Sequence, residues 1–139
     1  MELKPLIICD LDGTLAIRGD RSPYDYSKVS LDTLNEPVNK IIRLFYDNDF
    51  MVYILSGRKN VCKEDTKNWL FKNNVCYDQL LMRAEKDDRP DTVIKRELFD
   101  TYIKDKFEVY FVLDDRNRVV DMWRKDLNLL CLQVNYGDF

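Results

Sequence analysis

An apolar run, Leu6-Ile7-Ile8-Cys9, stops abruptly at Asp10-Leu11-Asp12-Gly13-Thr14. The run reads as a strand. Residues two apart in an extended segment point the same way. Asp10 and Asp12 are therefore expected to meet in one site where the strand opens into a loop, with Gly13 allowing a sharp turn. Two carboxylates that close repel each other unless one is protonated or a cation lies between them. Mg²⁺ suits such a place, since it prefers oxygen ligands and is commonly held by one or two carboxylates together with a substrate phosphate. Asp-Gly by itself marks an ordinary turn; the full pattern of strand followed by Asp-x-Asp-Gly-Thr argues for a site.

The rest of the chain repeats the theme of strands that end in polar clusters. After the strand over 4–9, residues 10–34 read as the acidic loop and an irregular stretch. Asn35 is the expected cap of a helix with Pro37 in its first turn, and Val38, Ile41, Ile42 and Phe45 form its buried face. A strand over 51–55 runs into Ser56-Gly57-Arg58. A helix over 63–73 turns Trp69 and Leu70 inward, and a short strand covers 79–82. A longer helix over 91–106 buries Val93, Ile94, Leu98 and Tyr102. A strand over 108–113 ends in Asp114-Asp115. A helix over 117–126, in which Val120, Trp123 and Leu127 have core spacing, leads to a last strand over 129–134. Alternating strands and helices predict an α/β/α sandwich around a mainly parallel sheet. Ligands bind beyond the carboxyl ends of the strands in such folds. Asp10/Asp12, Ser56/Arg58 and Asp114/Asp115 all fall at strand exits.

Composition narrows the chemistry. The 139 residues suit one domain, 1–139. They include no histidine, which removes histidine nucleophiles, Ser-His-Asp triads and His-ligated metals. The four cysteines form no Cys-x-x-Cys pair, and Cys9 and Cys131 sit in apolar runs as buried small hydrophobes. A net charge of −3 argues against coating nucleic acid through a broad basic surface, though not against gripping a strand end with a few arginines. No apolar run approaches the roughly 20 residues of a membrane span. Met1-Glu2-Leu3-Lys4-Pro5 leads into the first strand without a basic-then-apolar leader, so a cytoplasmic location and no membrane partner are expected. Gly-x-x-x-x-Gly-Lys-Ser/Thr is missing, so no kinase domain is expected within these residues.

Any hydrolysis by this chain must then rest on carboxylates, lysine and a hard metal. Asp10 can attack phosphorus and form an aspartyl-phosphate. Asp12 can protonate the leaving oxygen and later activate water. Asp114 and Asp115 would complete a metal site with Asp10 and Asp12, four carboxylates that require a divalent cation. Ser56 and Lys95 can take phosphoryl oxygens. A solvated lysine is the ordinary alternative for Lys95, and a helix cap is the alternative for Asp91. Tyr24 could stack on a base or be a plain loop tyrosine.

The opening pattern resembles the first motif of the haloacid dehalogenase (HAD) superfamily. The similarity continues through Arg21-Ser-Pro-Tyr24-Asp25, Ser56-Gly-Arg58, Lys63-Glu-Asp65, Arg83, Asp87-Asp-Arg89-Pro-Asp91-Thr-Val-Ile-Lys95, Asp114-Asp-Arg116, Val119-Val-Asp-Met-Trp-Arg124 and Gly137-Asp-Phe139. It resembles the 3′-phosphatase domains of the polynucleotide kinase/phosphatases of T-even bacteriophages. The segment between Arg58 and Arg83 is shorter than in the phage enzymes. The resemblance implies a HAD-like fold without a sizeable cap and a Mg²⁺-dependent phosphatase in nucleic-acid end repair. Its substrates would be 3′-phosphate ends of DNA or RNA, or nucleoside 3′-phosphates, and a separate 5′-kinase or ligase could work beside it. The resemblance makes Asp10 the nucleophile, Asp12 the acid/base, Ser56 and Lys95 phosphate ligands, and Asp114 and Asp115 metal ligands. It puts Arg21, Asp32, Arg58, Arg83 and Asp91 in or around the site. The competing readings are a HAD phosphatase for free nucleotides or other small phosphoesters, and a phospho-receiver module. A receiver differs in chain order: its phosphorylated aspartate ends a strand midway along the chain, and the corresponding strand here ends in Ser56, while Asp-x-Asp-Gly-Thr opens the chain.

Overall fold

The first strand, β1 (Lys4–Asp10), is the middle of a five-stranded parallel sheet. The computed structural model describes residues 2–139; Met1, the first residue of the expected domain, lies outside them. The other strands of this sheet are β4 (Met51–Lys59), β5 (Gln79–Arg83), β6 (Phe107–Asp114) and β7 (Cys131–Gln133), in the order β5-β4-β1-β6-β7. Two-residue strands β2 (Ala16–Ile17) and β3 (Thr33–Leu34) form a separate antiparallel pair. The helices are α1 (Glu36–Tyr46), α2 (Lys63–Lys72), α3 (Asp91–Tyr102) and α4 (Asn117–Asp121).

Side-chain parity divides the core into two layers. Ile7 and Cys9 of β1 face one side, with Val52, Ile54 and Leu113; α1 covers them with Val38 and Ile42, and α2 with Trp69 and Leu70. Leu6 and Ile8 face the other side with Tyr53, Leu55 and Val112, under Phe99 of α3, Val119 and Val120 of α4, and Trp123. A parallel sheet buried on both faces explains why β1 reads as an unbroken apolar run. The three-layer α/β/α sandwich expected from the alternation is the observed fold. Between β1 and α1 the chain carries only the β2–β3 pair and a 3₁₀ turn over Tyr26–Leu31.

Several element boundaries differ from the sequence reading. Residues 10–34 hold the β2–β3 pair instead of being wholly irregular. Two-residue strands are too short to leave a periodic signal. β4 runs to Lys59, four residues past the apolar stretch, with its pairing to β5 shifting between Ser56 and Lys59. α3 stops at Tyr102, and Asp105 takes a left-handed φ of 61° soon after. Its buried face is Ile94, Lys95 and Phe99, while Val93 and Tyr102, expected inside, are exposed. A lysine on the inner face rotates the helix relative to what apolar spacing predicts. The expected helix over 117–126 is α4 followed by a wider π turn, in which the Leu127 N–H donates to the Met122 carbonyl. The last strand is Cys131–Gln133, shorter than 129–134.

Candidate active site

The same parity that builds the core builds the site. Asp10 has the parity of Leu6 and Ile8, and Asp114 that of Val112, so both carboxylates face α3 and α4. Cys9 pairs with Leu113, which sets Asp10 beside Asp114 on the neighbouring strand. On the other flank Asp10 pairs with Leu55, so Ser56 lies one residue further along. The buried Lys95 ammonium donates to Asp10 Oδ1 at 2.6 Å and to Asp114 Oδ2 at 3.0 Å. Thr14 Oγ1 donates to Asp10 Oδ2 at 2.9 Å and approaches Asp115 Oδ1 at 3.4 Å. Trp123 Nε1 donates to Asp114 Oδ2 at 3.1 Å, and the backbone N–H of Asp115 to Asp114 Oδ1 at 2.8 Å. Gly13, at φ 81°, makes the approach possible: a Cβ there would sit 2.1 Å from Asp115 Oδ2.

Asp10, Asp114 and Asp115 each offer an oxygen within 4.8 Å of the others'. Three carboxylates against one ammonium leave two negative charges uncompensated in a buried place. Burial, the Asp114 carboxylate and Asp115 push the Asp10 carboxyl well above its ordinary range, against the pull of Lys95. Burial also raises Asp115, with Asp114 adding to it. For Lys95 burial works the other way, but Asp10 and Asp114 outweigh it and hold the ammonium protonated. An all-oxygen donor set with this charge deficit fits a divalent cation. Such an ion would neutralise phosphoryl oxygens brought against Asp10.

Asp12 departs from expectation. β1 ends at Asp10, and the N–H groups of Leu15 and Ala16 both fold back on the Leu11 carbonyl at 2.9 and 2.8 Å. The extended-strand rule therefore fails two residues later, and the Asp12 carboxylate lies outside the trio, held by arginines instead. Arg58 Nη2 donates to Asp12 Oδ1 at 2.7 Å, and Arg58 Nε reaches both oxygens at 3.1 and 3.0 Å. Arg21 Nη2 adds a contact to Oδ1 at 3.4 Å. Oδ2 is the less engaged oxygen, and the side chain is 44% exposed, so Asp12 faces outward. Asp32 binds both arginines: Arg21 through Nε and Nη2 at 2.8 and 2.9 Å, and Arg58 Nη2 at 2.7 Å. Ser56 Oγ accepts the Arg58 backbone N–H at 3.1 Å.

A third cluster borders the first two. Arg83 Nε donates to the Gly57 carbonyl at 2.8 Å, and its other nitrogens to the Asp87 and Arg89 carbonyls and to Asp91. Asp91 also accepts Arg116 Nη1 at 2.9 Å. The helix cap position is Pro90, with no side-chain cap, so Asp91 bridges two arginines and does not cap α3. Asp91 fills the space above Gly57, where a Cβ would come within 2.5 Å of its carboxylate. Arg89 spends its guanidinium on Asp87 and Glu97, and Tyr24 is exposed. Thr14, Thr66, Arg116 and the indole N–H of Trp123 join this framework without having been given roles from the sequence. Thr14 could have been found, since it closes the Asp-x-Asp-Gly-Thr pattern. Trp123 is core, as its spacing predicts, yet its N–H reaches Asp114.

A parallel α/β sheet whose central strand ends in an aspartate braced by lysine, beside an acidic pair from the next strand, belongs to a HAD-type phosphatase. The family can be stated more closely. The model of the polynucleotide kinase PNKP phosphatase domain matches residues 4–139, and the chain belongs to that family. It is 36% identical over 121 residues to an Autographa californica nuclear polyhedrosis virus protein named as a bifunctional polynucleotide kinase/RNA ligase, covering 85% of this chain. It superposes on a chain of the Pnkp1/Rnl/Hen1 complex with a TM-score of 0.97 and 49% identity over 99% of its length. A class C acid phosphatase from Bacillus anthracis shares the fold at a TM-score of 0.63 and 17% identity, over 84% of this chain and 53% of that one. The chain spans 17% of the viral relative and 48% of the matched chain in the Pnkp1 complex. Among the described residues no helix is long and apolar enough to cross a membrane.

Proposed function

We propose that this chain is a single phosphatase domain, 1–139, that removes the terminal phosphate from 3′ ends of DNA or RNA, with Mg²⁺ as the cation held by Asp10, Asp114 and Asp115. The observation that carries the reading is the separation of the two aspartates. Asp10 is fixed by Lys95 and Thr14 inside the buried trio, and Asp12 is fixed by Arg58 outside it. One carboxylate is shielded and oriented for attack; the other is open to solvent and to a leaving oxygen. Asp10 attacks phosphorus and the nucleoside 3′-oxygen leaves, taking a proton from Asp12. Asp12 then takes a proton from the water that cleaves the aspartyl-phosphate. Lys95 and the Ser56 hydroxyl hold phosphoryl oxygens. Arg21 and Asp32 hold the Arg58–Asp12 pair in place, while Arg83 and Asp91 line the approach used by the strand.

Only the β2–β3 pair and a 3₁₀ turn lie between β1 and α1, which gives a polymer end access to the site, and the family supports nucleic-acid end healing. A separate 5′-kinase or ligase acting on the same ends, in the cytoplasm, completes the reading; the viral relative is named for both of those activities. The test is Mg²⁺-dependent phosphate release from an oligonucleotide phosphorylated at its 3′ end, against the same oligonucleotide phosphorylated at its 5′ end. Release from the 3′ end alone, lost in Asp10→Asn, is expected. Hydrolysis of mononucleotides or aryl phosphate with neither oligonucleotide cleaved would leave a small-molecule phosphatase in its place.

A further inference from the structure

Arg58 is almost completely buried, and each of its three guanidinium nitrogens has a hydrogen-bond partner. Nε and Nη2 go to Asp12 and Asp32, and Nη1 donates to Thr66 Oγ1 at 3.0 Å. Thr66, inaccessible to solvent in α2, passes the interaction on: its hydroxyl donates to Cys62 Sγ at 3.7 Å, one helical turn back. The Cys62 thiol donates to the Lys59 carbonyl at 3.3 Å, next to Arg58 in the chain. Burial raises the Cys62 thiol, which keeps the proton this donation requires. Every donor points the same way round a closed circuit, from Arg58 to Thr66 to Cys62 and back to the end of β4.

We infer that Thr66 is a positioning residue for the leaving-group acid: its hydroxyl fixes the Arg58 fork, and the fork fixes which oxygen of Asp12 is the less engaged one that faces outward. The inference rests on the proposed role of Asp12. A guanidinium is planar, so one nitrogen cannot find a new partner without moving the other two. With the Thr66 oxygen gone, the buried Nη1 is unpaired. The fork turns to satisfy it, and Asp12 turns with the fork.

An alkyl ester such as an oligonucleotide 3′-phosphate or glycerol 2-phosphate needs a proton on its leaving oxygen. The phenolate of para-nitrophenyl phosphate leaves without one. Asp12 also serves the water step, which both esters share, so the rate compared is release of the alcohol or phenol in the first turnover, before the aspartyl-phosphate is hydrolysed. Thr66→Val is expected to lower that rate on an alkyl ester by about 10-fold or more, a share of the usual general-acid contribution, with the aryl ester changed several-fold less. Thr66→Ser, which keeps the hydroxyl, is expected to restore the alkyl ester rate. Asp12→Asn runs beside them and is expected to show the same selectivity more strongly. Equal losses on both esters in Thr66→Val, or no loss on either, overturn the inference if Asp12→Asn still discriminates. Equal losses in Asp12→Asn overturn the role of Asp12 itself, and the inference with it. If Thr66→Val does not fold by circular dichroism, Thr66→Ala removes the same oxygen without adding a carbon and is judged by the same ratio.

Discussion

Lys95→Met is the most informative change to stability. The side chain is buried, and its ammonium is the cation between Asp10 and Asp114, at 2.6 and 3.0 Å. Methionine fills a similar volume and removes only the charge. Asp10, Asp114 and Asp115 then face one another with no positive partner. Breaking a buried ion pair from one side costs about 3–5 kcal/mol. For a domain of this size that corresponds to a fall in Tm of about 10–15 °C. The assay is urea unfolding followed by circular dichroism at pH 7 in chelator, repeated with millimolar Mg²⁺ and again at pH 5. Mg²⁺ is expected to recover much of the loss by supplying the missing charge. Acid is expected to recover part of it. Asp10 and Asp115 have carboxyls raised by burial in the folded protein, so their protonated forms favour folding. Their contribution is present below the ordinary carboxyl range and is lost as pH rises through the raised one. A Lys95→Met protein as stable as the parent in chelator at pH 7, or stabilised by raising the pH, would refute the charge argument.

Three further outcomes are expected. Gly13→Ala places a Cβ at a left-handed φ and 2.1 Å from Asp115 Oδ2, so it is expected to weaken Mg²⁺ binding in calorimetry and cost about 1–3 kcal/mol in urea unfolding. Trp123→Phe removes the donor to Asp114 Oδ2 and is expected to cost about 1–3 kcal/mol, with Mg²⁺ affinity lowered in the same titration. Cys76 is the one thiol among the four that is not buried, and alkylation of the native protein at pH 8, mapped by mass spectrometry, is expected there first. Burial pushes Cys131 up to about 12, leaving about one thiolate in 10⁴ at that pH.

The strands that carry the site were readable because each is an apolar run cut off by polar residues. Asp10, Ser56 and Asp114 sit together because β1 lies between β4 and β6, and their exits were visible from sequence even though the strand order was not. The local rules stop holding beyond the strand ends. Extending β1 by two residues gives Asp12 the direction of Asp10, but the strand ends at Asp10 and the partner of Asp12, Arg58, lies 46 positions along the chain. Apolar spacing alone turns α3 toward Val93 and Tyr102, because it counts Lys95 as polar although the lysine lies on the buried face. Thr66 and the Trp123 N–H looked like ordinary helix residues because only tertiary packing brings them to Arg58 and Asp114.

In the proposed reaction the phosphoryl group passes through Asp10. A reaction with 3′-phosphorylated oligonucleotide and Mg²⁺, quenched with borohydride during turnover and mapped by mass spectrometry, tests it directly, since reduction of an aspartyl-phosphate leaves homoserine. Homoserine at position 10, dependent on the 3′-phosphate, is the expected result. Homoserine at Asp12 or another acid, or continued phosphate release by Asp10→Asn, would contradict the account.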